Sequence, residues 1–208
     1  MPDDSVRTVE VAAERLAGWL DRFVDRHGEL SWRAVDGAAE ARATDGATAM
    51  IRLAVAVPSD GLDETVVTST AIGFDTFGLV LVRRGGFAVG RVSAARVAAS
   101  RTGTRYVQGQ TKAGGQSQKR YARRRANQAA ALVRSAAEAV DDVLARWSGP
   151  VVGGGDRSLV REALAAARTD LSAALVPRWL DVGNPRRRVL DEAVAGARAA
   201  RIDLNALA

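Results

Sequence analysis

From Ser117 to Trp147 the apolar residues recur with a period of 3.6. Leu132, Ala136, Val140, Leu144 and Trp147 fall three or four apart, with Val133 and Val143 beside them. This is the stripe of an amphipathic helix. Ser148-Gly149-Pro150 ends it, because glycine accepts the conformation that closes a helix and proline cannot continue one. A helix of about 30 residues is roughly 45 Å long. Its C-terminal half carries the stripe and needs a core to lie on. Its N-terminal half, QKRYARRRANQ, has almost no apolar stripe. That half protrudes or faces a polar partner, and any fold for this chain must accommodate both halves.

Extended patterns precede this helix. Residues 48–57, TAMIRLAVAV, read as a strand closed by Pro58-Ser59-Asp60-Gly61. Thr65 to Gly73 reads as another extended stretch. Phe77–Arg83 and Phe87–Val92 flank Arg84-Gly85-Gly86, a hairpin signal. Thr102 to Val107 reads as one more strand. After the helix, Val151-Val152 runs into Gly153-Gly154-Gly155-Asp156, and a helical pattern covers Ser158–Arg168. A glycine-rich turn between strand and helix can cradle phosphate. This one lacks both the GxxxxGK[ST] and the GxGxxG spacing, so an ordinary turn with Asp156 as N-cap is the expectation. Val176–Val182 resembles a short edge strand around Pro177. Pro185–Ala200 forms a last helix with Val189, Leu190, Ala193, Val194 and Ala197 inward.

At the other end, residues 5–27 read as an amphipathic helix with Val9, Ala13, Leu16, Leu20, Phe23 and Val24 on one face. Asp4 or Ser5 caps it, Gly28 follows it, and His27 is expected at the surface of its last turn. The predicted class is α/β (α+β), a mixed β-sheet flanked by helices. The expected division is an N-terminal helical extension over 1–47 and a main domain over 48–208.

The chain has no cysteine and one histidine. Thiolate nucleophiles, disulfides and Cys-rich zinc sites are excluded, and most histidine-based schemes lack parts. No metal and no cofactor is expected. No apolar run approaches the length of a membrane span and the first residues are unlike a secretory signal, so a cytoplasmic protein without membrane partners is expected. The net charge is +6, and its distribution says more. From Thr76 to Ala137, 62 residues contain no Asp or Glu and 13 Lys or Arg. Such a block marks a surface that faces a polyanion, with nucleic acid as the partner class.

Inside that block lies QGQTKAGGQSQKRYARRRANQA, residues 108–129. Two adjacent glycines, Gly114 and Gly115, permit close approach of the backbone to another molecule. Gln116 is no acid or base at neutral pH, but it donates and accepts hydrogen bonds. Such a residue suits positioning a water or stabilising an oxyanion. A second body must then supply the rest of an active site, and the basic surroundings point to RNA.

Gly114-Gly115-Gln116 is also the tripeptide of translational release factors, which enter the peptidyl transferase centre and promote hydrolysis of peptidyl-tRNA. Bacterial release factors usually continue GGQHVN. Here Gln116-Ser117-Gln118-Lys119-Arg120-Tyr121-Ala122-Arg123 resembles the GGQSxxRFxR pattern of the eukaryotic and archaeal class-1 factor. Lys112 and the long basic helix also match it. Gly78–Val92 and Val151–Gly155 resemble the strand-turn-strand before the loop and the strand-and-glycine turn after the helix. The resemblance covers about residues 70–200, with its specificity in 109–125. No decoding motif is found and no decoding domain is expected, so the chain resembles a stand-alone member of the Vms-like release factor family.

That resemblance implies an RNase H-like release-factor catalytic domain and a codon-independent peptidyl-tRNA hydrolase. Its partners would be peptidyl-tRNA and the rRNA of the large ribosomal subunit, met by a monomer in ribosome rescue and quality control. Gly114 and Gly115 would let the loop reach the tRNA 3′ end. Gln116 would orient water. Ser117 suits the helix start. Lys112, Ser117, Lys119, Arg120, Arg123, Arg124 and Arg125 would contact RNA, and Tyr121 would stack on a base or pack on the domain. Two other readings stand beside it: a non-catalytic RNA- or ribosome-binding module, and a tRNA nuclease cutting near the CCA end, as some eukaryotic relatives do.

Overall fold

The structure, a computed structural model, describes residues 7–104 and 116–208, with the backbone alone for 116–122. The chain divides into two compact units. One comprises residues 1–75 and 195–208, the other 76–194. Among the described residues there are two five-stranded sheets and five α-helices, a mixed α/β architecture compatible with a release-factor-like domain.

In the first unit, β1 (Arg7–Val11), β2 (Leu30–Val35), β3 (Ala38–Ala43), β4 (Thr48–Arg52) and β10 (Ala200–Leu204) form an antiparallel sheet. The order is β1-β10-β4-β3-β2. Helices α1 (Leu16–His27) and α2 (Glu64–Gly73) belong to the same unit. Leu16, Leu20 and Phe23 of α1 pack on a floor of small residues, Ala39, Ala41 and Ala49, together with Ile51 and Ile202. Small side chains on the sheet let the helix approach closely, and the larger residues fill the gap.

Five expectations change here. The helix predicted over 5–27 begins only at Leu16, because Arg7-Thr8-Val9-Glu10-Val11 alternates with period two and pairs with β10. Thr65–Gly73 is helical rather than extended. Asp63 Oδ1 accepts from the Val66 backbone N–H at 2.8 Å, and the Thr68 and Thr70 hydroxyls donate to the Glu64 and Val66 carbonyls. The Asp63 cap and the burial of Val67 and Ala71 outweigh the β preference of the β-branched run, and the threonine hydroxyls are satisfied within the helix. The strand predicted over 48–57 stops at Arg52. His27 is buried, not superficial: its ring packs 4.7 Å from that of Phe23, and Nδ1 meets Asp45 Oδ2 at 2.8 Å. The predicted boundary at residue 48 falls inside this sheet, where β3 pairs with β4.

The second unit holds β5 (Phe77–Arg83), β6 (Gly86–Ser93), β7 (Arg96–Thr104), β8 (Val151–Gly155) and β9 (Leu175–Leu180) in the order β7-β6-β5-β8-β9. β5, β6 and β7 are antiparallel neighbours, while β5–β8 and β8–β9 are parallel. The predicted hairpin and the predicted edge strand are both present. Helices α3 (Gln116–Val143) and α4 (Arg157–Ala166) cover one face. Leu132, Ala136, Val140 and Leu144 pack there with Val80, Val82, Phe87 and Val89 of the sheet and with Val160, Ala163 and Leu164 of α4. Helix α5 (Arg187–Arg198) starts over the opposite face, where Leu190 lies against Gly90.

Candidate functional site

Helix α3 has 28 residues, beginning at Gln116, so it is roughly 42 Å long. The predicted stripe is buried: Leu132, Ala136, Val140 and Leu144 are at most 3% exposed. This fixes the C-terminal half of α3 to the sheet.

Lys112, Gly114 and Gly115 lie outside the described residues. Gln116, Ser117, Lys119 and Arg120 occupy the first turns of α3, and their side chains, with that of Tyr121, are outside the description too. Because α3 starts at Gln116, Ser117 sits within the first turn rather than ahead of it. Arg123 and Arg124 are exposed and Arg125 is half-buried. None of these three makes an ion pair with a carboxylate among the described residues. Arg101, by contrast, pairs with Asp142 and lies 3.9 Å from Glu138, both on the C-terminal half of α3. The acids after residue 137 thus neutralise a strand arginine, while Arg123, Arg124 and Arg125 have no carboxylate partner among the described residues.

Arg125 also reaches a feature that the sequence pattern did not reveal. A cavity of about 390 Å³ opens between α3 and α4, lined by Arg84, Arg125, Ala129, Leu132, Leu159 and Glu162 among others. It lies at the carboxyl ends of the parallel pair β5–β8, where Val82 stands opposite Gly155. Arg84 comes from the β5–β6 turn. Asp156 begins α4 as predicted: its Oδ1 accepts from Ser158 Oγ at 2.8 Å and from the N–H groups of Ser158 and Leu159 at 3.1 and 3.3 Å. Partial burial raises the Asp156 pKa, but these hydrogen bonds and the nearby charge of Arg84 outweigh it and hold the carboxyl below its usual value.

The three glycines before Asp156 are the last residues of β8, and packing takes up their side-chain space. A Cβ at Gly153 would overlap the Trp179 ring, and one at Gly154 would fall 2.7 Å from Leu81 Cδ2. Among the described residues no group of His, Asp and Glu could hold a metal ion, and no helix is long and apolar enough to cross a membrane.

No curated protein matches the chain. A solved structure of an archaeal protein aligns with 95% of this chain and 68% of its own, at 12% identity and a TM-score of 0.32. Residues 75–203, which include all of the second unit and the whole basic helix, match the Actinobacteria/chloroflexi VLRF1 release factor. The chain therefore belongs to that release factor family, and with it to proteins of a ribosome-associated, release-factor-like role.

Proposed function

We propose that this protein is a codon-independent peptidyl-tRNA hydrolase that acts on the large ribosomal subunit and frees nascent chains in ribosome rescue. The domain assigned to this work is the unit 76–194, with the first unit as an accessory. The observation that carries the reading is the construction of α3. It begins at the glutamine of Gly114-Gly115-Gln116, is anchored by Leu132 to Leu144, and presents Arg123 and Arg124 without carboxylate partners among the described residues.

In this reading Gly114 and Gly115 give the loop a backbone slim enough to approach the tRNA 3′ end. Gln116 orients the attacking water, and its backbone N–H faces the developing oxyanion. The peptidyl transferase centre supplies the remaining groups. Lys112, Ser117, Lys119, Arg120, Arg123, Arg124 and Arg125 contact phosphates, which gives affinity without sequence reading. No cofactor takes part, the protein acts as a monomer, and its place is the cytoplasm.

The test is release of nascent peptide from large subunits loaded with peptidyl-tRNA. Wild type releases the peptide and leaves the tRNA with an intact CCA end. Gln116→Ala keeps subunit binding and the backbone N–H but loses the water-orienting amide, and release falls by about 10²–10³, the scale of one lost positioned hydrogen-bonding group. A shortened tRNA would replace the hydrolase with a nuclease. Binding without release by wild type would leave a ribosome-binding module.

A further inference from the structure

The cavity between α3 and α4 has a mixed character that limits what fits it. Its floor is apolar, formed by Ala129 and Leu132 of α3 and Leu159 of α4. Positions 125, 129 and 132 are spaced four and three apart, and so lie on one face of α3. Its rim carries charges of both signs. Arg84 faces Asp156 and is partly balanced by it. Arg125 is the cation without a carboxylate partner among the described residues, and Glu162 across the opening is likewise unpaired among them. The volume, about 390 Å³, lies within the range of small-ligand pockets, about 300–1,000 Å³. Its position outside the carboxyl ends of two parallel strands is where open α/β sheets place ligands.

We propose that this cavity receives a single unstacked nucleotide of an RNA strand, with the base on the Ala129–Leu132–Leu159 floor and the phosphate at Arg125. A free phosphate or an acidic peptide would meet Glu162 and Asp156 as well as the arginines, and neither would use the apolar floor. A nucleotide uses all three elements. The base has a flat apolar face. Its exocyclic amine is a donor that Glu162 can accept. Its phosphate is one anion, placed against one unbalanced cation. Bases held in a duplex cannot enter such a pocket, whereas those of loops and single-stranded ends can. Arg125 lies nine residues beyond Gln116, about 14 Å along the helix, and Arg123 and Arg124 just before it are exposed. The strand would therefore run along the basic half of α3 and place one nucleotide in the cavity. This binding does not depend on the hydrolase reading, although it would position α3 against RNA in that reaction.

The test uses the full-length protein and fluorescence anisotropy with labelled nine-nucleotide RNAs. Wild type should bind single strands of A, C or G more tightly than single-stranded U, and all of them more tightly than duplex RNA of equal length. Ala129→Trp, which fills the cavity without altering charge, should weaken single-strand binding about tenfold, the scale of one lost specific contact. Because Ala129→Trp can disturb packing, Arg125→Gln and Glu162→Gln serve as milder variants. Arg125→Gln should weaken binding to every single strand, and Glu162→Gln should remove the preference over U. All variants are assayed at one temperature, below the lowest of their melting temperatures.

Three results overturn the proposal: wild-type affinity in both Ala129→Trp and Arg125→Gln, a preference for duplex, or free nucleoside monophosphate binding while oligonucleotide does not. The last would make the cavity a metabolite site. Peptide release measured in parallel separates the two readings. Normal Gln116-dependent release with unaltered RNA binding in the cavity variants sinks the inference alone. Loss of RNA binding in those variants, beside a wild type that releases no peptide, sinks the hydrolase alone.

Discussion

The indole of Trp179 occupies the space that a Cβ on Gly153 would need. Its Nε1 donates to the Gly155 carbonyl at 3.2 Å, and the Arg157 guanidinium stacks over its ring at 4.5 Å from the centroid. One tryptophan on edge strand β9 thus ties β8 to the first residue of α4. The glycine-rich stretch exists to admit this ring and the Leu81 and Leu180 side chains beside Gly154.

Gly153→Ala should therefore behave as an overpacking substitution and cost about 1–3 kcal/mol. Urea melts read the loss. In a Trp179→Leu background the same change should cost less, because the smaller side chain leaves room. An equal cost in both backgrounds would mean that backbone conformation, not the ring, requires glycine there.

Asp156→Ala should remove the cap of α4 and cost about 1 kcal/mol at neutral pH. The pH dependence has a definite sign. The native carboxyl has its pKa lowered, so its contribution is fully present above the unfolded carboxylate value of about 3.9 and is lost as pH falls through the native one. Melts of wild type and variant should differ at pH 7 and converge near roughly pH 2. A gap that persists in acid would assign the loss to something other than the ionised cap.

Much of the second unit is legible in the sequence because its signals are local. The stripe from Leu132 to Leu144, the hairpin around Arg84-Gly85 and the cap at Asp156 each announce themselves within one turn or one strand pair. The first unit is less legible. Reading residues 1–47 as helical overlooks Asp36-Gly37, whose φ values of 49° and 77° make the two-residue turn joining β2 to β3. The misreading of Thr65–Gly73 has a different cause: propensity favoured a strand, and the Asp63 cap with tertiary burial of Val67 and Ala71 decided for a helix. The cavity residues Arg84, Arg125 and Glu162 are separated by long stretches of chain. No sequence spacing joins them; the pairing of β5 with β8 and the packing of α3 on the sheet and on α4 bring their elements together.

Arg123→Glu combined with Arg124→Glu should leave the fold intact, since both side chains are exposed and unpaired among the described residues. The melting free energy should stay within about 0.5 kcal/mol of wild type. Binding to large subunits should fall at least about tenfold, and the dependence of affinity on salt should flatten by about 1.4 in the log–log slope for two lost phosphate contacts. Sedimentation at several salt concentrations measures both. An unchanged slope would remove these two arginines from the RNA contact.

The β6–β7 turn provides a stability test that no composition rule would suggest. Ser93 pairs with Arg96, and the two residues between them, Ala94 and Ala95, have φ values of 48° and 56°. This is the left-handed conformation at both central positions, the type that Asn-Gly favours and alanine resists by about 1–2 kcal/mol per residue. The hairpin register and the sheet around it hold the alanines there. Ala94→Asn with Ala95→Gly keeps the backbone and removes most of that strain, while glycine's greater freedom in the unfolded chain offsets about 0.5–1 kcal/mol. The net expectation is a stabilisation of roughly 1 kcal/mol, read as a higher urea midpoint with an unchanged slope. Ala95→Val should act in the opposite direction, because a β-branched side chain fits this conformation worst. If Asn-Gly lowers the midpoint, the two alanines are making contacts in the hairpin that outweigh their backbone strain.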